Sequence, residues 1–345
     1  MKPEFVMYEY CSRCDANLTL QKGYDNSLPY WICKGCGEML INPTIDSDVA
    51  WICDKCGAMM NIQPGFSEDC EEWACTECGF VNRISDSELY TSEDEYQAEQ
   101  HNPYKGLPDE DILKLSCYEE GWVLEGKPNI TLVRDPDTRN IFVKKCLTTY
   151  NKSVYEYLLT HPIKHMPKIK ELYESSTCLI VIEEFIEGDT IADHIGQHLF
   201  LQDIAVRIAK SVCEILDELH NLKTPIIHRD IKPSNIILTD DDEVYLLDMN
   251  VAKWYVAEQT DDTNYMGTQY FAAPEQVGYG LSASSAKSDI YAVGMLLNVM
   301  LTGEFPKQKR AEGEIWPIIE RCISLEASRR YTAAELIEAL DGLED

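Results

Sequence analysis

Apolar positions along the chain fall into short groups separated by polar stretches. Through residues 8–84 they are scattered between Cys-x-x-Cys steps and read as short hairpins. Residues 85–108 then become rich in Ser, Asp, Glu, Gln and Asn, with the acidic run Ser92-Glu93-Asp94-Glu95 and the breakers Pro103, Gly106 and Pro108. That composition predicts a solvated linker, or alternatively a docking helix across 86–99. Beyond it the pattern predicts a helical stretch over Ser153–Thr160, an apolar strand over Val244–Leu247 and an apolar helical run opening at Asp289-Ile290-Tyr291-Ala292-Val293-Gly294. Along Asn140–Lys145 the period-two alternation of a strand puts only one of Lys144 and Lys145 on a given face. No apolar run approaches the roughly 18 residues of a membrane span. The first ten residues lack the apolar stretch of a signal peptide, so the expected location is the cytoplasm.

A length of 345 residues suggests about two domains, and 45% apolar content argues against a chain disordered throughout. With 60 acidic and 30 basic side chains the net charge is −30, which disfavours nonspecific nucleic-acid binding. Fourteen cysteines in a reducing compartment point to metal or free thiols before disulfides.

Eight of those cysteines form the pairs Cys11/Cys14, Cys33/Cys36, Cys53/Cys56 and Cys75/Cys78. Two copies of Cys-x2-Cys-x18-Cys-x2-Cys result, offset by 42 residues. Each tight turn aims two thiolates at one point, and two turns complete a tetrahedron around zinc. Equal loops favour joining the first pair to the second and the third to the fourth. The Trp-x-Cys-x-x-Cys-Gly pattern shared by the last three turns leaves a join of the middle two open. Cys70 is read as a bystander. Trp31, Trp51 and Trp73 precede cysteine pairs and are expected to pack beside the metal. The whole resembles two tandem zinc ribbons, residues 8–42 and 50–84, holding two Zn2+ and, being acidic, suited to a protein partner more than to nucleic acid.

The densest motif is His228-Arg229-Asp230-Ile231-Lys232-Pro233-Ser234-Asn235, followed by Asp248-Met249-Asn250, Gly267-Thr268, Ala273-Pro274-Glu275, Asp289 and Arg330. In this order the set resembles the protein-kinase family, in particular bacterial eukaryotic-like Ser/Thr kinases, over residues 115–342. The resemblance implies an α+β, two-lobed kinase fold: a small β-rich N-lobe and a helical C-lobe, preceded by the two small β zinc-ribbon modules, with residues 85–114 as an acidic linker. It implies ATP and Mg2+ as cofactors and protein Ser/Thr hydroxyls as acceptors. Asp230 would orient the acceptor hydroxyl, Lys232 would neutralise the transferred phosphoryl group, and Asn235 and Asp248 would ligate Mg2+. Lys144, with Lys145 as the alternative, would hold the phosphates, paired with Glu156. Choosing Lys144 points Phe142 towards adenine. Gly126 would serve the phosphate loop, and the backbone from Glu184 to Ile186 would bond adenine. Glu183 then falls at the inner wall beside adenine, where a carboxylate needs a partner or a proton.

Two departures from the family stand out. Its Gly-x-Gly-x-x-Gly loop is reduced to Gly126 within Trp122–Val133, and Met249-Asn250 replaces Phe-Gly, with Asn250 expected to take the left-handed turn. The reduced glycine loop and Phe142 on the adenine side support an alternative reading as a pseudokinase scaffold. Thr260 and Thr263 are candidate sites for an activating phosphate that Arg229 would receive, while Glu275–Arg330 and Asp289 are expected to anchor the structure.

Overall fold

The computed structural model describes residues 10–11, 13–24, 30–41, 51–61, 63–67, 70–84, 98–99, 101–124, 126–255, 270–278 and 284–343. Linker residues 85–97, the candidate phosphate sites Thr260 and Thr263, and Gly267-Thr268 lie outside them. The chain divides into two compact units, residues 1–99 and 100–345.

In the first unit, β1 (Tyr30–Ile32) pairs antiparallel with β2 (Met39–Ile41), and β3 (Glu72–Ala74) with β4 (Val81–Arg83). Each hairpin carries a Cys-x-x-Cys turn at its tip. The other two turns are framed by single bridges, Tyr10 with Asn17 and Ile52 with Met59. Gly37 and Gly79 donate back to the carbonyls of Cys33 and Cys75 at 2.8 Å, closing each turn. Both have a left-handed φ (76° and 72°), which explains a glycine after the second cysteine. Leu18 and Met60, 42 residues apart, are buried behind the two cysteine clusters, with Trp51 and Ile84 joining the second.

The second unit begins earlier than the sequence suggests. Helix α1 (Asp109–Ser116) leads into a five-stranded antiparallel sheet of β5 (Glu119–Leu124), β6 (Lys127–Arg134), β7 (Ile141–Leu147), β8 (Ile169–Glu174) and β9 (Leu179–Glu184), in the order β5-β6-β7-β9-β8. Helix α2 (Lys152–Thr160) lies between β7 and β8. One face of the sheet is covered by residues from 104 to 118: Leu107, Leu115 and Tyr118 pack with Val133, Ile180 and Ile182. Ser176 N–H donates to the Lys105 carbonyl at 2.8 Å, and Thr177 Oγ1 to that of Asn102 at 2.9 Å. Residues 102–114, expected in a solvated linker, are therefore a strap on the sheet. Their polar residues hide Tyr104, Leu107, Ile112 and Leu115, whose burial offsets the entropy of ordering them.

The rest is mainly helical. After β10 (Asp189–Thr190) come α3 (Ile191–Gln197) and the 19-residue α4 (Gln202–His220). Strand β11 (Ile226–Ile227) precedes the hairpin of β12 (Ile236–Leu238) and β13 (Val244–Leu246); β14 (Lys253–Trp254) then pairs back with β11. Helices α5 (Ala286–Thr302), α6 (Ile315–Cys322) and α7 (Ala333–Asp341) complete the unit. Helix α5 is buried on nearly all sides and packs on α4 and α6, so its sequence is apolar all round.

Candidate active site and zinc centres

Hairpin register assembles the catalytic end of the cleft. Ile236 pairs with Leu246, so Asn235, just before β12, faces the residues just after β13. Leu247 N–H donates to the Asn235 carbonyl at 2.8 Å and sets Asp248 beside Asn235. Asn235 Nδ2 donates to Asp230 Oδ2 and to the Asp230 carbonyl, both at 2.9 Å, which leaves its Oδ1 as a ligand atom. Lys232 Nζ donates to Asp230 Oδ2 at 2.6 Å. The loop is held from beneath by buried Asp289, which accepts from the N–H groups of His228 (3.0 Å) and Arg229 (2.8 Å) and meets His220 Nε2 at 2.9 Å. Burial alone would raise the Asp289 pKa; His220 and these N–H groups outweigh it and hold it below the usual range. Glu275 and Arg330 form a buried bidentate pair at 2.6 and 2.9 Å, with Ser288 donating to the same carboxylate at 2.7 Å.

The left-handed residue after β13 is Asp248 itself, with φ 71°, not Asn250. Asn250 Oδ1 accepts instead from Tyr155 Oη at 2.8 Å.

The lysine assignment changes. Lys144 leaves the cleft: its ammonium bonds Glu120 and, at 2.9 Å, Tyr104 Oη on the strapped face. Phe142 shares that face, edge-on to Tyr118 with ring centroids 6.3 Å apart. Lys145 and Val143 line the cleft, together with Leu124, Lys127, Glu183, Glu184, Phe185, Ile186, Asn235 and Asp248. A strand reverses face at every residue, so the choice between adjacent lysines depends on which face is strapped, and the lysine pattern carries no sign of that. With this phase Val143, a small apolar residue, lines the cleft in place of Phe142.

Glu156 does not reach Lys145. Its side chain is 55% exposed and sits 3.7 Å from Lys152, while Val154, Tyr155 and Leu158 are the buried residues of α2. The partner of Lys145 is Glu183 on β9, at 2.7 Å. Both side chains are under 10% exposed, and Asp248 Oδ1 lies 4.0 Å from the same ammonium. Burial lowers the pKa of Lys145, but the two carboxylates outweigh it and keep the ammonium charged. From the sequence alone Glu183 shows only as a carboxylate in need of a partner. Gly126, with φ 72°, sits in the turn between β5 and β6.

The residues fit a divalent cation. Asp248 Oδ1 is buried and accepts no hydrogen bond, an arrangement costly for a carboxylate oxygen unless a cation engages it. With Asn235 Oδ1 it offers the hard oxygen ligands that Mg2+ prefers.

In the first unit the thiols gather as Cys11, Cys14, Cys33, Cys36 and as Cys53, Cys56, Cys75, Cys78, each set within 4.8 Å. The first pair joins the second and the third joins the fourth. The closest Sγ–Sγ separations, 3.5 to 3.7 Å, approach the ~3.8 Å edge of a tetrahedron with Zn–S of ~2.3 Å. All fourteen cysteines are free thiols. A support unread in the sequence repeats at the same offset. Gln21 Nε2 donates to Cys33 Sγ (3.4 Å) while its Oε1 accepts from Trp31 Nε1 (2.8 Å). Gln63 does the same for Cys75 (3.3 Å) and Trp73 (2.8 Å). The Gln21 bond leads in bringing the Cys33 pKa down to about 6, favouring the thiolate that zinc requires. A glutamine conserved across the 42-residue repeat was the available signal.

Residues 129–338, more than half of the chain, match the protein kinase domain family, and the chain belongs to it. Among curated relatives, serine/threonine-protein kinase A of Synechocystis is 35% identical over 136 residues, covering 36% of this chain and 26% of that protein. A probable serine/threonine-protein kinase PknB of Lactococcus lactis is 32% identical over 150 residues (43% and 23%). Serine/threonine-protein kinase PknA of Nostoc is 32% identical over 200 residues (51% and 35%). The chain thus spans about a quarter to a third of the length of these relatives. Among the described residues no helix is long and apolar enough to cross a membrane.

Proposed function

We propose that the chain is a protein Ser/Thr kinase that transfers the γ-phosphoryl group of ATP to a protein hydroxyl. The observation that carries this reading is one cleft lined by Lys145, Asn235 and Asp248, with Asp230 held against it by the 2.9 Å bond from Asn235. Asp230 orients the acceptor hydroxyl and takes its proton. Lys232, bonded to Asp230, offsets charge on the phosphoryl group in transit. Lys145 holds phosphate oxygens of ATP, and backbone groups of Glu184 to Ile186 meet adenine. Asn235 and Asp248 would hold Mg2+, which supplies charge neutralisation at the phosphates. In the first unit the two cysteine sets would hold two Zn2+ as folding centres, and their acidic surface suits recruitment of a protein partner or substrate. The setting expected from the sequence is the cytoplasm, where thiols stay reduced and can hold zinc.

One feature favours the rival, a pseudokinase scaffold: the turn between β5 and β6 offers a single glycine to cradle phosphates. Labelled ATP with Mg2+, the full chain and a generic basic protein separates the two. Transfer by the wild type that disappears in Asp230→Asn supports the kinase; nucleotide binding with no transfer to any protein supports the scaffold.

A further inference from the structure

We propose that Glu183 is the positioning residue for Lys145, so that the lysine is oriented from within the sheet and not by a carboxylate on α2. The proposal rests on the kinase reading and concerns how its ATP lysine is set.

The geometry is strand-borne. Strands β7 and β9 pair without interruption from Phe142↔Glu184 to Leu147↔Leu179. Lys145 lies opposite Val181 and Val143 opposite Glu183, which makes Lys145 and Glu183 diagonal neighbours on the cleft face. Their 2.7 Å contact is a fixed consequence of register. Lys145 offsets part of the cost of burying Glu183, whose pKa burial still holds above the usual carboxylate range. Lys145 in turn bridges the wall to Asp248 at 4.0 Å, linking the adenine end of the cleft to the expected metal carboxylate.

Helix α2 cannot supply the alternative by a small motion. Its single carboxylate, Glu156, points to solvent beside Lys152. Adjacent helical residues differ by about 100° in direction, so turning Glu156 inward would drive Tyr155 out. That would break the 2.8 Å bond from Tyr155 to Asn250 and expose a ring now 1% accessible. In a kinase whose lysine partner rides on a helix, displacing the helix disconnects the lysine. Here the pair uses no carboxylate from α2.

The test uses the full chain as wild type, Lys145→Met, Glu183→Gln, Glu156→Gln and the double variant Lys145→Met/Glu183→Gln. Mg·ATP affinity is read with a fluorescent ATP analogue, and transfer is resolved into kcat and KM. Glu183→Gln should lower kcat/KM by about 10- to 100-fold, the scale of a misplaced reacting group. It should add nothing further in the Lys145→Met background, because it acts only through that lysine. Glu156→Gln should stay within about twofold of wild type, as a surface substitution does. Independent, multiplying losses from Lys145→Met and Glu183→Gln would overturn the proposal, as would a wild-type value for Glu183→Gln. If Glu183→Gln does not fold by circular dichroism, Glu156→Gln decides alone: retained activity supports the proposal, and a loss matching Lys145→Met overturns it. A wild type that binds Mg·ATP but transfers no phosphate defeats the kinase reading, and the affinity series still judges the pair. A wild type that binds no Mg·ATP overturns both.

Discussion

Lys144 and Lys145 are adjacent, both buried and both ion-paired, yet they belong to different faces of β7. Lys145→Met should lower phosphoryl transfer by about 10²–10³-fold, the usual loss of a group aimed at charge in transit. Lys144→Met should keep transfer and cost about 1 kcal/mol through its bond to Tyr104, measurable by urea unfolding. The Asp248 oxygen that accepts no hydrogen bond leads to a second expectation. Asp248→Asn should be no less stable than wild type when nucleotide-free, yet lose the rise in melting temperature that Mg·ATP gives the wild type. EDTA should abolish the same rise in the wild type, because Asp230, Asp248 and Glu183 repel phosphates that Lys145 and Lys232 cannot balance alone. A melting shift by ATP undiminished in EDTA would refute this account.

At the scale of elements, the strap over residues 102–118 and the Glu275–Arg330 anchor carry separable stability. Leu115→Ala removes a buried side chain between α1 and the sheet and should cost about 2–5 kcal/mol, read by denaturant titration. Leu107→Ala, inside the stretch expected as a linker, should likewise destabilise; were residues up to 114 free, that change would be silent. Burial of Glu275 would raise its pKa, but Arg330 and Ser288 outweigh this and hold it below the usual range; Asp289 behaves likewise through His220. A carboxylate with a depressed folded pKa adds stability at neutral pH that is lost as pH falls through the folded value. The second unit should therefore hold its stability down to about pH 4, the ordinary carboxylate range, and lose it below. Glu275→Gln should flatten part of that acid limb while lowering stability at pH 7 by about 3–5 kcal/mol, since it strands a buried guanidinium. Unfolding midpoints across pH 3–7 check both signs.

Over the whole molecule, two units with separate cores predict separate responses to metal removal. Protein purified without added metal should carry about two equivalents of zinc, one for each four-cysteine set. Chelation should unfold the first unit, which has only small apolar clusters around its cysteines, and leave cooperative melting of residues 100–345 unchanged. Two-probe melting, with thiol reactivity for one unit and circular dichroism for the other, would detect a common transition if this division is wrong.

Features written as spacing could be read without coordinates. The two cysteine sets, the order of Asp230, Asn235 and Asp248, and the kinase family itself all depend on intervals along one local stretch, where chain geometry leaves few alternatives. Features that depend on phase against a distant element could not. A shift of one residue turns a strand side chain through half a circle and a helix side chain by about 100°. Lys144 against Lys145 and Glu156 against Tyr155 each hung on that single residue. The strap supplied by residues 104–118 and the register of β7 on β9 settled both, placing Glu183 beside Lys145. The same reason governs the start of the second unit. A polar stretch with a few apolar residues has the composition of a linker, and only the face of the sheet built from residues 119–184 makes it part of a core.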